Sequence, residues 1–495
     1  MKLKIKAGLL LSLIFVLGLF IALPAFGATG EPFTITSDTG KQKDQLKTFN
    51  ELKAMFDNKD LTLDDIKKKY TETLQKDVVT SNAEIDQKII FVLDAAIKGQ
   101  MTAGQAKQAV DKGLQWFFYN EITNFTKTVV PAALAANKTD EAMAALDQAL
   151  ELYKGSLRGT AEKRDTKFNT GTKDLMDTVV IPRLQKAVAD KDVQTYNETR
   201  QMLDKTVIKV FVLAITSYAE KIPQEKDVQK NLTAITEGYF FYMPIFNSLK
   251  GGSAADAEYV DKALGSGDPT KINYEDITKA FIKAMNGKIS GYVEKTIVSA
   301  TAGDLAKARI TAMEGNMFVA AQEIFIKNKL GAEAYTEITK HGQLYFEAVA
   351  AGNIAQAQLH SFNVLQILAK LDGVNFTIGT KELTVNGGKK SVDVASYVDA
   401  KSNRTLVPTR FIAEALGLTV NWIAETKTVI IEGNGNKIEL VVNSDVVVKN
   451  GKKEDKKLDQ PVIIKNGRSF IPLRAVAELM GNKVFYSEGK VAVLK

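Results

Sequence analysis

The 495-residue sequence contains no cysteine, two histidines, two tryptophans and ten prolines. The absence of cysteine excludes disulfides, thiolate zinc sites, iron–sulfur clusters, cysteine nucleophiles and lipid attachment through cysteine. His341 and His360 supply too little imidazole for a three-histidine metal centre. So few prolines, set among abundant Ala, Lys, Leu and Glu, favour a largely helical body. The remaining composition is that of a folded soluble protein, with 45% apolar and 25% charged residues. It excludes disordered and collagen-like chains. The length predicts two to four domains.

Long hydrophobic runs are also scarce. Ala7 to Leu23 is unbroken, preceded by Lys2, Lys4 and Lys6 and followed by Pro24-Ala25-Phe26-Gly27-Ala28. This is the pattern of a signal peptide over residues 1–28, with cleavage after Gly27 or Ala28. The alternative is a retained membrane anchor, because the apolar core is long for a signal. No second run approaches a membrane span, so the mature chain is expected to be secreted, extracellular or associated with the cell wall. The formal charge is +7, and residues 375–495 carry 19 basic against 13 acidic side chains. A basic C-terminal module on a near-neutral body suits an anionic cell-wall polymer or another envelope protein as partner. The same charge also serves solubility alone. Nucleic acid is not expected, because no arginine stripe interleaves with aromatics.

Residues 40–371 read as helix. Ala142, Leu146, Ala149, Leu150 and Tyr153 fall on one helical face, as do Val207, Phe211, Ala214, Ile215 and Tyr218. Thr62 with Asp65, and Thr102 with Gln105, predict capping boxes. Gly-rich breaks are expected at Gly155–Gly171 and Lys250–Pro269. They give ten to twelve helices in antiparallel hairpins, divided as 29–250 and 251–372. Four segments echo one another as helix, short turn and helix, beginning at Ala132, Lys186, Ile297 and Glu347. A second echo pairs Thr233–Phe246 with Thr311–Phe325.

After Gly373 the apolar period drops to two. Strands are expected at Thr428–Glu432, Ile438–Val442, Val446–Lys449 and Val462–Ile464. Asn-Gly pairs at 386–387, 434–435, 450–451 and 466–467 predict type I′ hairpin turns. Here a repeat is explicit: Arg404-Thr-Leu-Val-Pro408-Thr-Arg410-Phe-Ile-Ala-Glu414-Ala-Leu-Gly417 matches Arg468-Ser-Phe-Ile-Pro472-Leu-Arg474-Ala-Val-Ala-Glu478-Leu-Met-Gly481 at an offset of 64. Pro408 and Pro472 are expected at the first helical position, and Gly417 and Gly481 at the left-handed stop. Arg410 with Glu414, and Arg474 with Glu478, are one turn apart and positioned for structural ion pairs. The fold class is thus multidomain: a mainly α-helical bundle of antiparallel hairpins, followed at 373–495 by a small α+β module. That module reads as two related β-β-α-β units, about 383–446 and 447–495.

The doubled P-x-R…E-x-x-G pattern, closed by Val420-Asn-Trp422 and Val484-Phe-Tyr486, resembles the copper amine oxidase N-terminal-like domain of secreted bacterial proteins. The resemblance covers a quarter of the chain. It implies a stalk-like module remote from the oxidase's copper and quinone, and so no enzyme activity. Thr270-Lys-Ile-Asn273-Tyr274-Glu275-Asp276 resembles the setting of the quinone-forming tyrosine, but the three copper histidines have no counterpart. Asn273 reads instead as an N-cap.

No nucleophile elbow, Walker loop or zinc-protease helix is present, and no cofactor is implied. Candidate metal ligands are Glu337 with His341, one turn apart, and the echoed acids Glu237 and Glu314. His360 is expected to cap or pack near the bundle's end. The aromatics Trp116–Tyr119 and Tyr239–Tyr242 form either a pocket for a planar ligand or bundle core. Two readings follow. The first is an exported, non-enzymatic envelope protein, attached through its basic module, with the helical body binding or spacing. The second is an extracytoplasmic binding protein for a metal ion or small planar ligand.

Overall fold

Helix starts in the computed structural model, which describes residues 33–433 and 435–495, follow the capping chemistry. The signal segment 1–28 and Asn434 lie outside the described residues. Thr62 and Thr102 each accept from the backbone three residues on, while Asp65 and Gln105 return the bond to the cap residue's N–H. Both are complete capping boxes, satisfying N–H groups the helix leaves open. Asn273 Oδ1 accepts from Asp276 N at 3.1 Å, so Tyr274 opens an ordinary helix, Tyr274–Thr301.

The four echoed segments form the same turn. Asn137, Lys191, Gly303 and Gly352 have positive φ. In each, the next N–H returns to a carbonyl five residues back, at 2.8–2.9 Å (Lys138→Ala133, Asp192→Ala187, Asp304→Ser299, Asn353→Ala348). This is the Schellman closure, which uses the left-handed C′ residue to satisfy the last carbonyls.

The expected glycine breaks are largely helical. Tyr153–Leu157 is a π turn leading directly into the helix Arg158–Phe168, and the chain leaves helix only at Asn169. Gly155 is there for proximity: a Cβ would lie 2.5 Å from Leu46 Cδ1. Likewise the helix Ala254–Gly265 occupies most of 250–269. Two further π turns, Phe125–Val129 and Met176–Val180, precede Pro131 and Pro182. A proline lacks the N–H of the i→i−4 ladder, and a π turn lets the helix continue past the missing bond.

The chain divides into two compact units, one comprising the described residues up to 299 with 304–325, the other 300–303 with 326–495. In the first, Ala103–Asn124 packs against Gln75–Ile97 and Val228–Lys250, and Val193–Lys221 packs against Leu305–Ala321. Val193–Lys221 is buried along most of its length, Lys205 and Lys209 included. Among the described residues no helix is long and apolar enough to cross a membrane.

In the second unit, helices Ala332–Ala350 and Ile354–Leu371 form an antiparallel hairpin, and the latter covers one sheet of the β-module. Gly373 begins β1 (Gly373–Thr377) where a Cβ would meet Val493 O at 2.2 Å. The further strands are β2 (Glu382–Val385), β3 (Gly388–Ser391), β4 (Tyr397–Asp399), β5 (Arg404–Pro408), β6 (Thr419–Ile423) and β7 (Thr428–Gly433). The second repeat begins earlier than the expected 447, with β8 (Asn436–Val441) matching β1 at the offset of 64, and continues as β9 (Val447–Lys449), β10 (Lys452–Lys453), β11 (Ile463–Lys465), β12 (Arg468–Pro472), β13 (Lys483–Ser487) and β14 (Lys490–Leu494). Each repeat is therefore richer in strands than a β-β-α-β unit, with its short helix, Thr409–Ala415 or Leu473–Leu479, after the fifth strand.

The repeats exchange strands. One sheet runs β13-β14-β1-β2-β3 and its counterpart β6-β7-β8-β9-β10, each built from both repeats. The third, β11-β12-β5-β4, is centred on the antiparallel pair β12·β5, with Ile471 opposite Val407. Asn386-Gly387, Asn450-Gly451 and Asn466-Gly467 have positive φ at both residues, as type I′ turns require.

Candidate functional site

The signature residues shape the module's surface. Pro408 and Pro472 each end a strand and occupy the N-cap, one position earlier than expected. Gly417 (φ 78°) and Gly481 (φ 85°) terminate the helices in the left-handed conformation. Neither expected Arg–Glu pair forms among the described residues, and the second repeat's pair is replaced by other contacts. Arg474 lies over the Tyr486 ring at 5.0 Å, and Glu478 faces Lys456 at 3.8 Å. Arg410 and Glu414 are exposed, and among the described residues neither has an ion-pair partner. A solvated helix surface leaves little free energy to be gained from an i,i+4 pair.

Between the first repeat's helix and the adjoining sheets lies a cleft of about 760 Å³. Arg410, Glu414, Phe411, Trp422, Lys390 and Arg468 line it. Trp422 is 44% exposed, unusual for so large an apolar ring. Arg468 forms a fork to Asp393, with Nη2 at 2.7 Å and Nε at 3.1 Å from Oδ2. This hydrogen bond, with the guanidinium's charge, holds the Asp393 carboxyl below its ordinary range. The equivalent cleft of the second repeat is smaller, about 350 Å³, lined by Arg474, Tyr486 and the Arg404–Asp459 pair. There the arginine closes over the aromatic ring. The repeats have diverged into one larger and one smaller cleft.

The bundle's candidate acids are placed differently from what a metal site needs. Glu237 lies 3.4 Å from Lys112 Nζ, and Glu314 lies 3.3 Å from Lys205 Nζ. An ammonium occupies the place a bound cation would take. The two surroundings are copies. Lys112 adjoins Asp111 at 2.7 Å and Lys205 adjoins Asp204 at 2.5 Å. Tyr218 bonds Glu237 and stacks on Phe241, while Tyr292 donates to Glu314 at 3.3 Å and stacks on Phe318. Lys112 sits over Phe241 and Lys205 over Phe318. Burial pushes both tyrosines up, and the neighbouring glutamates add to it. Burial opposes ionisation of Asp204, but Lys205, Tyr119 and Arg200 outweigh it and hold that carboxyl below its ordinary value.

Sequence reasoning missed these lysines and tyrosines. The signal was available in Val110-Asp-Lys112 against Leu203-Asp-Lys205, and in Ile215-Thr-Ser-Tyr218-Ala-Glu-Lys221 against Ile289-Ser-Gly-Tyr292-Val-Glu-Lys295. Phe117, Phe118, Phe240, Phe241 and Tyr242 are buried core. Glu337 is exposed on the helix Ala332–Ala350. His341 meets His360 across the helical hairpin, Nδ1 to Nδ1 at 3.2 Å.

The strand-exchanged pair of repeats defines a two-repeat α+β module. Residues 384–494 match the copper amine oxidase N-terminal domain family, as the doubled motif implied. That domain is non-catalytic in copper amine oxidases. The helical body lies outside the match. No curated protein and no solved structure matches the chain.

Proposed function

We propose that the chain is an exported, non-enzymatic protein of the cell envelope. In this reading the β-module holds an anionic wall polymer in the Trp422–Arg410 cleft, and the helical body acts as a spacer or binding domain. The observation that carries it is an exposed indole lining the same cleft as a guanidinium that has no carboxylate partner among the described residues. An aromatic face suits a sugar ring, and arginine suits phosphate or carboxylate through its planar fork. Lys390 adds a second cation to a lining that also holds Glu414 and the Arg468–Asp393 pair, in keeping with the module's excess of basic residues.

The test is retention of the full chain on isolated wall sacculi at increasing salt. Retention should fall steeply as screening grows and disappear on sacculi stripped of anionic polymer. Trp422→Ala and Arg410→Gln should each weaken it, by about 1 kcal/mol or more for a stacked aromatic at a binding hot spot. No retention at low salt, or retention unchanged in both variants, would overturn this function.

A further inference from the structure

The chain has two histidines in 495 positions, 19 residues apart, and the fold brings them nitrogen to nitrogen. The hairpin turn at Ala351–Asn353 makes this meeting possible. Gly352 adopts φ 69°, Asn353 caps the second helix, and the two helices return antiparallel, so that a residue eleven before Gly352 faces one eight after it. The rings are 5.4 Å apart between centroids and inclined by 32°.

The geometry points to a binding site for a late first-row divalent cation, Zn²⁺ or its neighbours, chelated by His341 Nδ1 and His360 Nδ1. Two nitrogens 2.0–2.1 Å from a tetrahedral metal stand about 3.3 Å apart, and the observed separation is 3.2 Å. Two lone pairs at that distance repel unless a proton or a cation lies between them. Imidazole is a preferred donor for Zn²⁺, Cu²⁺ and Ni²⁺, and a poor one for Ca²⁺ or Mg²⁺. Both rings are half-buried, so the pair is only partly open to solvent. The charged groups acting on the pair are Glu337 and Lys340 at His341 and Glu347 at His360, the two carboxylates favouring a cation. With two protein ligands, the remaining coordination positions belong to water or to a donor from outside. The site differs from the sequence expectation in its partner: His360 replaces Glu337 as the second ligand. It is independent of the cleft proposed for the wall polymer.

The test uses the full chain prepared without a polyhistidine tag and freed of metal by chelator. Cu²⁺ serves as the spectroscopic probe. One equivalent should give a paramagnetic resonance spectrum with coupling to two imidazole nitrogens, competed away by Zn²⁺, and lost in both His341→Ala and His360→Ala. In the unaltered protein, substoichiometric Cu²⁺ should broaden both histidine ring signals together. This readout needs no variant to fold. Broadening of neither ring or of one alone would overturn the assignment, as would copper coupling unchanged in the two variants.

Discussion

A buried lysine between two carboxylates gives the clearest residue-scale consequence. Lys205 lies 2.5 Å from Asp204 and 3.3 Å from Glu314, with Gln201 accepting a further bond at 3.1 Å. Removing the ammonium strands two acids where water cannot solvate them. Lys205→Met is therefore expected to destabilise by about 3–5 kcal/mol at neutral pH, the range for breaking a buried ion pair. Chemical denaturation measures it. The pH dependence has a definite sign. Asp204 sits below its ordinary value of 3.8 in the folded protein, so the stability it contributes is present above that value and is lost as acid protonates the folded state. In the variant, burial acts without the lysine and raises the acid's pKa. The gap in stability between the two proteins should thus narrow as pH falls from neutrality, first through the variant's raised value and then below about 4. A gap that stays constant across that range would contradict the role assigned to Lys205. A second expectation separates this network from a metal site: Glu314→Ala should lower stability and leave metal content unchanged, measured by denaturation and elemental analysis side by side.

Among the elements, glycines in and between helices divide into those required by contact and those merely tolerated. Gly252 and Gly287 face each other backbone to backbone. A Cβ on Gly252 would stand 1.9 Å from Ala284 O, and one on Gly287 would stand 2.1 Å from Gly252 O. Gly252→Ala should cost about 3 kcal/mol, the upper part of the range for forced overpacking. Gly291, in the same helix as Gly287, has open space within 4 Å of the point where a Cβ would stand. Gly291→Ala should instead stabilise by about 0.5–1 kcal/mol through the lower entropy of the unfolded chain. Thermal melts of both variants read the opposite signs directly. This contrast also marks what was legible in the sequence. Caps, hairpin turns and the strand-to-helix motif within each repeat depend on residues within a few positions of one another, and Thr62, Asn386 and Gly417 announce them. The role of Gly155 depends on Leu46, more than a hundred residues away, so local pattern read it as a break. The Glu237–Lys112 pairing was hidden for the same reason. Each partner looked like an ordinary charged helix residue, and only packing of Ala103–Asn124 against Val228–Lys250 made them neighbours.

Within the β-module as a whole, strand exchange makes the two repeats one folding unit. The terminal strand β14 lies between β13 of its own repeat and β1 of the other, with Val491, Ala492 and Val493 fully buried. The hydrophobic core mixes both halves: Val374 and Leu383 from the first join Val484, Val491 and Val493 from the second, and Val407 joins Ile471. A half-module of about 60 residues is already near the size where a single core becomes marginal. Here each half would also leave strand edges unpaired, exposing N–H and C=O groups that the other half satisfies. Cutting at the β7–β8 hairpin into 373–434 and 435–495 should therefore give two fragments with collapsed amide proton dispersion. Mixing them should restore native dispersion in a 1:1 complex. A fragment that folds alone would contradict the exchange, because its sheet would have to close without β14 against β1 or β7 against β8. The same dependence explains why the larger cleft needs both repeats. Arg410 and Trp422 come from the first, Ile464 and Arg468 from the second, so binding by either fragment alone should be lost and should return only with reassembly.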